Sequence, residues 1–243
     1  MSDYAPLIGW LQGYGPDVVA FLFSVVLVAG YYIRLRRRAS ANPLSSVLGL
    51  NALARRRWVE HVMTTPGMEI VAVQTLRNFI MVGIMMASTA SLLILGTLTL
   101  SGQVENISQS WHVMSLFGSH SPQLWILKVM CLLADFLVAF FAYAMSMRLA
   151  NQVLFMLNVP HRDQGILPAL SPECVAKRLV RAGNMVAIGM RAYLFAIPLV
   201  FWLFGSIFLA LATVGLVITL NYLDRYEAAD SESSLDLPLV MDD

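Results

Sequence analysis

The sequence predicts an all-α fold, a polytopic transmembrane helical bundle, and three observations carry that prediction. The chain is 58% hydrophobic and 13% charged, whereas soluble domains carry about 25% charged residues. Apolar runs recur along its 243 positions, several of them reaching the roughly 20 residues that a bilayer crossing needs. Fourteen of the sixteen Lys and Arg residues fall in two intervals, 34–77 and 148–191. Both intervals lie between apolar runs, the pattern of cationic loops kept in the cytoplasm. The net charge of +1 conceals this asymmetry. No basic surface suited to nucleic acid exists outside the membrane-adjacent intervals, so no nucleic-acid partner is expected. Cys131 lies in an apolar run and Cys174 in a basic loop, so the two fall in different environments and no disulfide or cysteine metal site is expected.

The opening Met1-Ser2-Asp3-Tyr4 lacks the basic start of a cleaved signal peptide. Residues 1–15 are read as a retained external segment, residues 16–223 as one transmembrane domain, and residues 224–243 as an acidic, disordered tail. The first span is placed at residues 16–33, with Pro16 in the first helical turn, where its missing amide hydrogen costs nothing. Arg34, Arg36, Arg37 and Arg38 stop it. Residues 42–63 carry Val47, Leu50, Leu53, Trp58 and Val59 at helical spacing but are too polar to span. They predict an amphipathic helix at the cytoplasmic interface, ended by Pro66-Gly67.

Residues 70–100 form the next element, about 46 Å as a straight helix and longer than a bilayer core. Its first third holds Glu69, Gln74, Arg77 and Asn78 and is expected to project into the cytoplasm. Gly83, Ala87 and Ser91 share one face, which permits close approach of another helix. Residues 101–120 lack Lys and Arg and are placed outside. Ser121-Pro122 starts a span that closes at Arg148, with Lys128 the one cation out of place. Ser171-Pro172-Glu173 opens a helix bearing Lys177, Arg178 and Arg181. The last apolar region, 185–222, would be about 57 Å long as one helix, nearly twice the hydrocarbon thickness. Gly205-Ser206 divides it into a hairpin, 185–204 and 206–222. That gives five spans, with the N-terminus outside and the C-terminus cytoplasmic. The alternative is four spans, with one long helix bent at Pro198 and the C-terminus outside. The expected location is a cell membrane of the bacterial inner-membrane kind, crossed several times.

Three runs are more specific than hydropathy. They are Gly49-Leu50-Asn51-Ala52-Leu53-Ala54-Arg55-Arg56-Arg57-Trp58-Val59, then Ala72-Val73-Gln74-Thr75-Leu76-Arg77-Asn78, then Arg181-Ala182-Gly183-Asn184 followed by Arg191-Ala192-Tyr193. In these runs the chain resembles the domain of unknown function 599 family, a set of integral membrane proteins from bacteria and plants. The resemblance extends from about residue 14 to residue 222. It implies a multi-span membrane protein and carries over no catalytic residue.

Chemistry could sit in three places. Asp135 lies mid-span, where an ionised carboxylate costs several kcal/mol unless paired or hydrated. It reads either as a proton or cation site on a pathway or as a polar lock between helices. Lys128 shares its face but stands about 10 Å away along the helix and can snorkel outward past Trp125, so it is a poor partner. Gln74, Arg77 and Asn78, with Asn184 and Arg191 from the same side, could line a polar vestibule for an anion or lipid head group, or form a buried hydrogen-bond network. Arg55, Arg56, Arg57 and Trp58 could contact a lipid phosphate or merely anchor at the interface.

His61 and His161 are placed inside and His112 and His120 outside, in neither case at zinc-enzyme spacing. No catalytic or nucleotide motif is visible, so no catalytic residue, cofactor or metal is expected. The expected partners are membrane lipids and either further copies of the chain or another membrane subunit. The function expected first is an oligomeric channel or transporter for ions or small solutes. The alternative is a structural or accessory subunit of a larger membrane complex, and a lipid-modifying enzyme comes last.

Overall fold

A computed structural model describes residues 5–41, 47–102, 122–159 and 167–235. Six helices make up nearly all of it: α1 (Ala5–Ala41), α2 (Val47–Thr64), α3 (Glu69–Gly102), α4 (Pro122–Leu157), α5 (Pro172–Phe204) and α6 (Ser206–Leu235). A short 3-10 turn, Pro168–Leu170, precedes α5. Among the described residues there is no strand, and the protein is a helical bundle. Four stretches are long and apolar enough to cross a membrane: Gly15–Leu35, Glu69–Gly102, Gln123–Leu157 and Pro172–Phe204. Ser206–Tyr222 is a shorter apolar helix. The loop with His112 and His120, the loop with His161, and the last eight residues of the tail lie outside the described residues.

Side-chain pairs fix the helix directions. Leu76 and Val153 share one cluster of buried residues, and Ala87 and Tyr143 share another further along, so α3 and α4 run antiparallel. Val153 meets Val175, and Leu132 meets Ala196, so α5 turns back along α4. Arg191 and Phe195 of α5 meet Tyr32 of α1, while Trp202 meets Asp17 and Phe21, so α1 also opposes α5. The Thr213 hydroxyl of α6 donates to the Ser24 hydroxyl of α1 at 3.1 Å. Because Ser206 follows directly on the Trp202 end, α6 runs parallel to α1 and antiparallel to α5. The turn is made at Gly205, whose φ of 150° and ψ of 161° lie in a region that only glycine enters freely. The hairpin read at Gly205-Ser206 is thus present in the backbone, while Pro198 stays inside continuous α5.

The bundle has two kinds of core, one at each level. At the basic end, Val59, Val62 and Met63 of α2 pack with Ala72 and Leu76 of α3, Val153 and Leu157 of α4, and Val175, Ala176 and Leu179 of α5. These are large aliphatic side chains, and water exclusion stabilises such a cluster by about 1.5–3 kcal/mol per buried side chain. Midway along the helices the core becomes small: Ala87, Ala90, Ala139 and Ala192 surround Tyr143. A Cβ on Gly83 would reach Met147, and one on Gly189 would stand 2.7 Å from the Tyr143 ring. Close backbone approach through small residues is how helices associate in lipid, where hydrophobic driving force between them is absent.

Four elements differ from the sequence reading. α1 begins at Ala5, so Pro16 sits inside a helix and not in its first turn; Leu7, Leu11 and their neighbours are fair helix formers and extend it upstream. α4 continues past Arg148 to Leu157 because Val153 and Leu157 gain a place in the basic-end core. α2 does not keep its apolar face for lipid: Val59, Val62 and Met63 are spent inside the protein, and only Leu50 and Leu53 stay exposed. α6 remains helical to Leu235, beyond the start assigned to the tail, consistent with the helix-favouring Glu227-Ala228-Ala229.

Candidate functional site

The best-defined polar constellation lies at the end of the bundle away from the arginines. Lys128 Nζ stands 2.8 Å from Asp17 Oδ1, and the Trp202 indole N–H donates to the same oxygen at 2.9 Å. The ammonium also sits 5.4 Å from the centre of the Trp202 ring, and Phe21 stacks on that indole at 5.0 Å. Both charged side chains are all but sealed, at 6% and 1% exposure. Three helices build it: α4 gives the cation, α1 the carboxylate and α5 the indole. The snorkelling expected of Lys128 is therefore wrong. A buried carboxylate is a better partner for an ammonium at this depth than a long reach to water. Sequence reasoning did not single out Asp17, which stands beside Pro16 at the start of the first apolar run. The available signal was an acid and a lone base, Asp17 and Lys128, each near the uncharged end of its own apolar run.

Asp135 sits two turns further along α4, between Leu132 and Phe136, which pack against Ala196. The residue is half-buried, and its Oδ2 is sealed with no hydrogen-bond partner among the described residues. The Tyr143 hydroxyl, two turns on, is likewise buried without a partner among them. The neighbouring Tyr193 ring lies 5.6 Å away, and its hydroxyl donates to the Met86 carbonyl. One turn beyond Tyr143, on the same side of α4, Ser146 donates to the Ala182 carbonyl at 2.9 Å and ties α4 to α5.

The second predicted group is not assembled. Gln74, Arg77 and Asn78 are exposed on α3, and Asn184 is exposed on α5. The buried positions beside them, Ala72 and Leu76, turn the other face of α3 inward. Arg191 is half-buried and lies over the Tyr32 ring at 5.2 Å, a cation–π arrangement. Gly83 and Ala87 face α4, and the Ser91 hydroxyl returns to the Ala87 carbonyl of its own helix at 3.1 Å. The close approach that this stripe permits is thus made within the chain.

The arginine run midway along α2 divides. Arg57 reaches Glu60 at 3.5 Å on the surface. Arg55 is half-buried against Gly183 of α5, and Trp58 packs on the basic-end core. At the start of α5, Ser171 caps the helix by accepting from the Cys174 amide at 3.4 Å. One turn on, Lys177 bonds Glu173 at 2.7 Å. That hydrogen bond holds the exposed Glu173 below its usual value and Lys177 above its own. Among the described residues no group of three or more His, Cys, Asp or Glu could hold a metal ion.

No curated protein and no solved structure matches this chain. The family described as "Protein of unknown function, DUF599" matches residues 19–229, taking in all the described helices except the two ends. The three specific runs and the helices built from them lie within that match. The chain belongs to the domain of unknown function 599 family.

Proposed function

We propose that this protein is a membrane conduit, assembled from several copies, that passes protons or small cations, with Asp135 the titrating group on its route. One observation carries the reading: a carboxyl oxygen of Asp135 is sealed in the middle of an apolar helix and lacks a partner among the described residues. Leaving such a group unsatisfied costs several kcal/mol in lipid, so it is supplied from outside its own fold by a proton, a cation or a neighbouring copy. Five spans are few for a monomeric path, which favours an oligomer. In this reading the arginine-bearing end faces the cytoplasm, as the charge rule requires, and the membrane is the bacterial inner membrane. The accessory-subunit reading has less support. The stripe of Gly83, Ala87 and Ser91 that would have met a partner is occupied by α4 or by its own backbone.

Reconstitution of the folded chain into liposomes tests the proposal. Proton or monovalent-cation flux is expected, falling at least tenfold in Asp135→Asn while the assembly persists. A folded sample that carries no ion across a broad panel overturns it.

A further inference from the structure

Three successive arginines on α2 meet three different surroundings. Arg57 has Glu60 on its own helix. Arg56 lies near the Glu173–Lys177 pair at the start of α5. Arg55 has neither kind of partner: among the described residues no carboxylate lies within ion-pair distance of it. Burial alone acts on it, pulling it below the usual arginine value. Its guanidinium rests against the backbone of α5 in the space that a side chain at Gly183 would fill. A Cβ there would stand 2.6 Å from Nη1 and 2.8 Å from Nε. The fork is therefore held in place by shape, at a glycine, and half removed from water.

A guanidinium carries five N–H donors in a rigid plane and no acceptor. Desolvating it without an anion is unfavourable, and the anion that best matches its fork is a carboxylate or a phosphate. No carboxylate of the described chain is supplied. Asn51, one turn earlier on the same face of α2, is exposed and adds an amide donor. Arg34, Arg37, Arg148 and Arg178 lie toward the same end of the bundle, where lipid phosphates are expected to be abundant. We propose that Arg55, seated on Gly183 with Asn51 beside it, forms a binding site for a phosphate-bearing anion, either a lipid head group or free phosphate.

The full chain, purified in a phosphate-free maltoside detergent, is titrated with inorganic phosphate in one arm and with short-chain phosphatidic acid in the other. Occupancy is read by native mass spectrometry, and thermal melting confirms that each variant is folded. Saturable binding is expected in at least one arm. Arg55→Gln is expected to weaken it tenfold or more, Gly183→Ala to do the same by evicting the guanidinium, and Arg57→Gln to change it less than twofold. Arg55→Lys, which keeps the charge and loses the fork, should fall between. Lipid retained against excess phosphate identifies a head-group site, and lipid displaced by phosphate identifies a free-phosphate site. Absence of saturable binding in both arms, or equal losses in Arg55→Gln and Arg57→Gln, overturns the proposal.

Discussion

Lys128 is the residue whose surroundings say most about how this chain tolerates charge. It breaks the distribution that places nearly every other cation at the opposite end, and it does so without standing alone. Asp17 cancels its charge, and the Trp202 N–H occupies the same carboxylate oxygen. Removing one member leaves the other buried and unpaired, which costs about 3–5 kcal/mol in comparable sites, whereas removing both is close to neutral. Lys128→Met is therefore expected to destabilise the protein strongly in mixed-micelle unfolding, and the double variant Asp17→Asn, Lys128→Met to recover most of the loss. Equal stabilities for the single and double variants would refute the coupling. This site was only half legible. An ionisable residue in an apolar run is visible in any sequence, but Trp202 and Asp17 are 185 positions apart, and no local pattern joins them. Asp135 was legible for the opposite reason: its oddity is local, a carboxylate with apolar neighbours on both sides, and the described residues around it give its Oδ2 no partner.

Helix boundaries were legible wherever backbone chemistry sets them. Ser171 before Pro172 makes a cap, Pro66-Gly67 makes a turn with Gly67 at φ 86°, and Gly205 makes the hairpin. Boundaries set by packing were not. α4 outruns Arg148 because its last two turns have a core to join; the apolar run 153–157 hints at burial, but hydropathy does not say which helices cover it. The same limit governs α2. Its periodicity reveals an apolar face but not whether lipid or protein covers it, because both are equally apolar. In the structure Val59, Val62 and Met63 are covered by α3, α4 and α5, so α2 behaves as the fourth helix of a small aqueous-type bundle appended to the membrane layer. Met63 is 1% exposed at the centre of this contact. Met63→Ala should cost about 2–5 kcal/mol, as large-to-small changes in packed cores do. Hydrogen exchange across residues 47–64 should rise at the same time, while the α3–α4 contact midway along the bundle stays protected. Unchanged protection of α2 would mean that its face is covered by lipid after all.

At the scale of the whole molecule, the arrangement is a chain that leaves and returns to one charged end. α3, α4 and α5 form an antiparallel trio, and α1 and α6 lie together beside it, joined to each other by the Ser24–Thr213 hydrogen bond, while Phe21 of α1 stacks on Trp202 of α5. The parallel course of α1 and α6 carries the chain back along the bundle after α5. If residues 185–222 were one bent crossing, Tyr222 would stand at the end opposite the arginines. With the reversal at Gly205, residue 222 is carried back beside the end of α1, where Arg34 and Arg37 are. Ser206–Tyr222 is about 25 Å long at helical rise, slightly short of a hydrocarbon core of about 30 Å, and such a mismatch is met by thinning the bilayer or by packing against longer neighbours. α1 and α5 are those neighbours. A reporter fused at the C-terminus and a single cysteine introduced at Arg57, each read in intact cells with a membrane-impermeant reagent, are therefore expected to lie on the same side. Opposite sides would require α6 to unfold from α5 and extend it. That would break the Ser24–Thr213 hydrogen bond between the first and last helices.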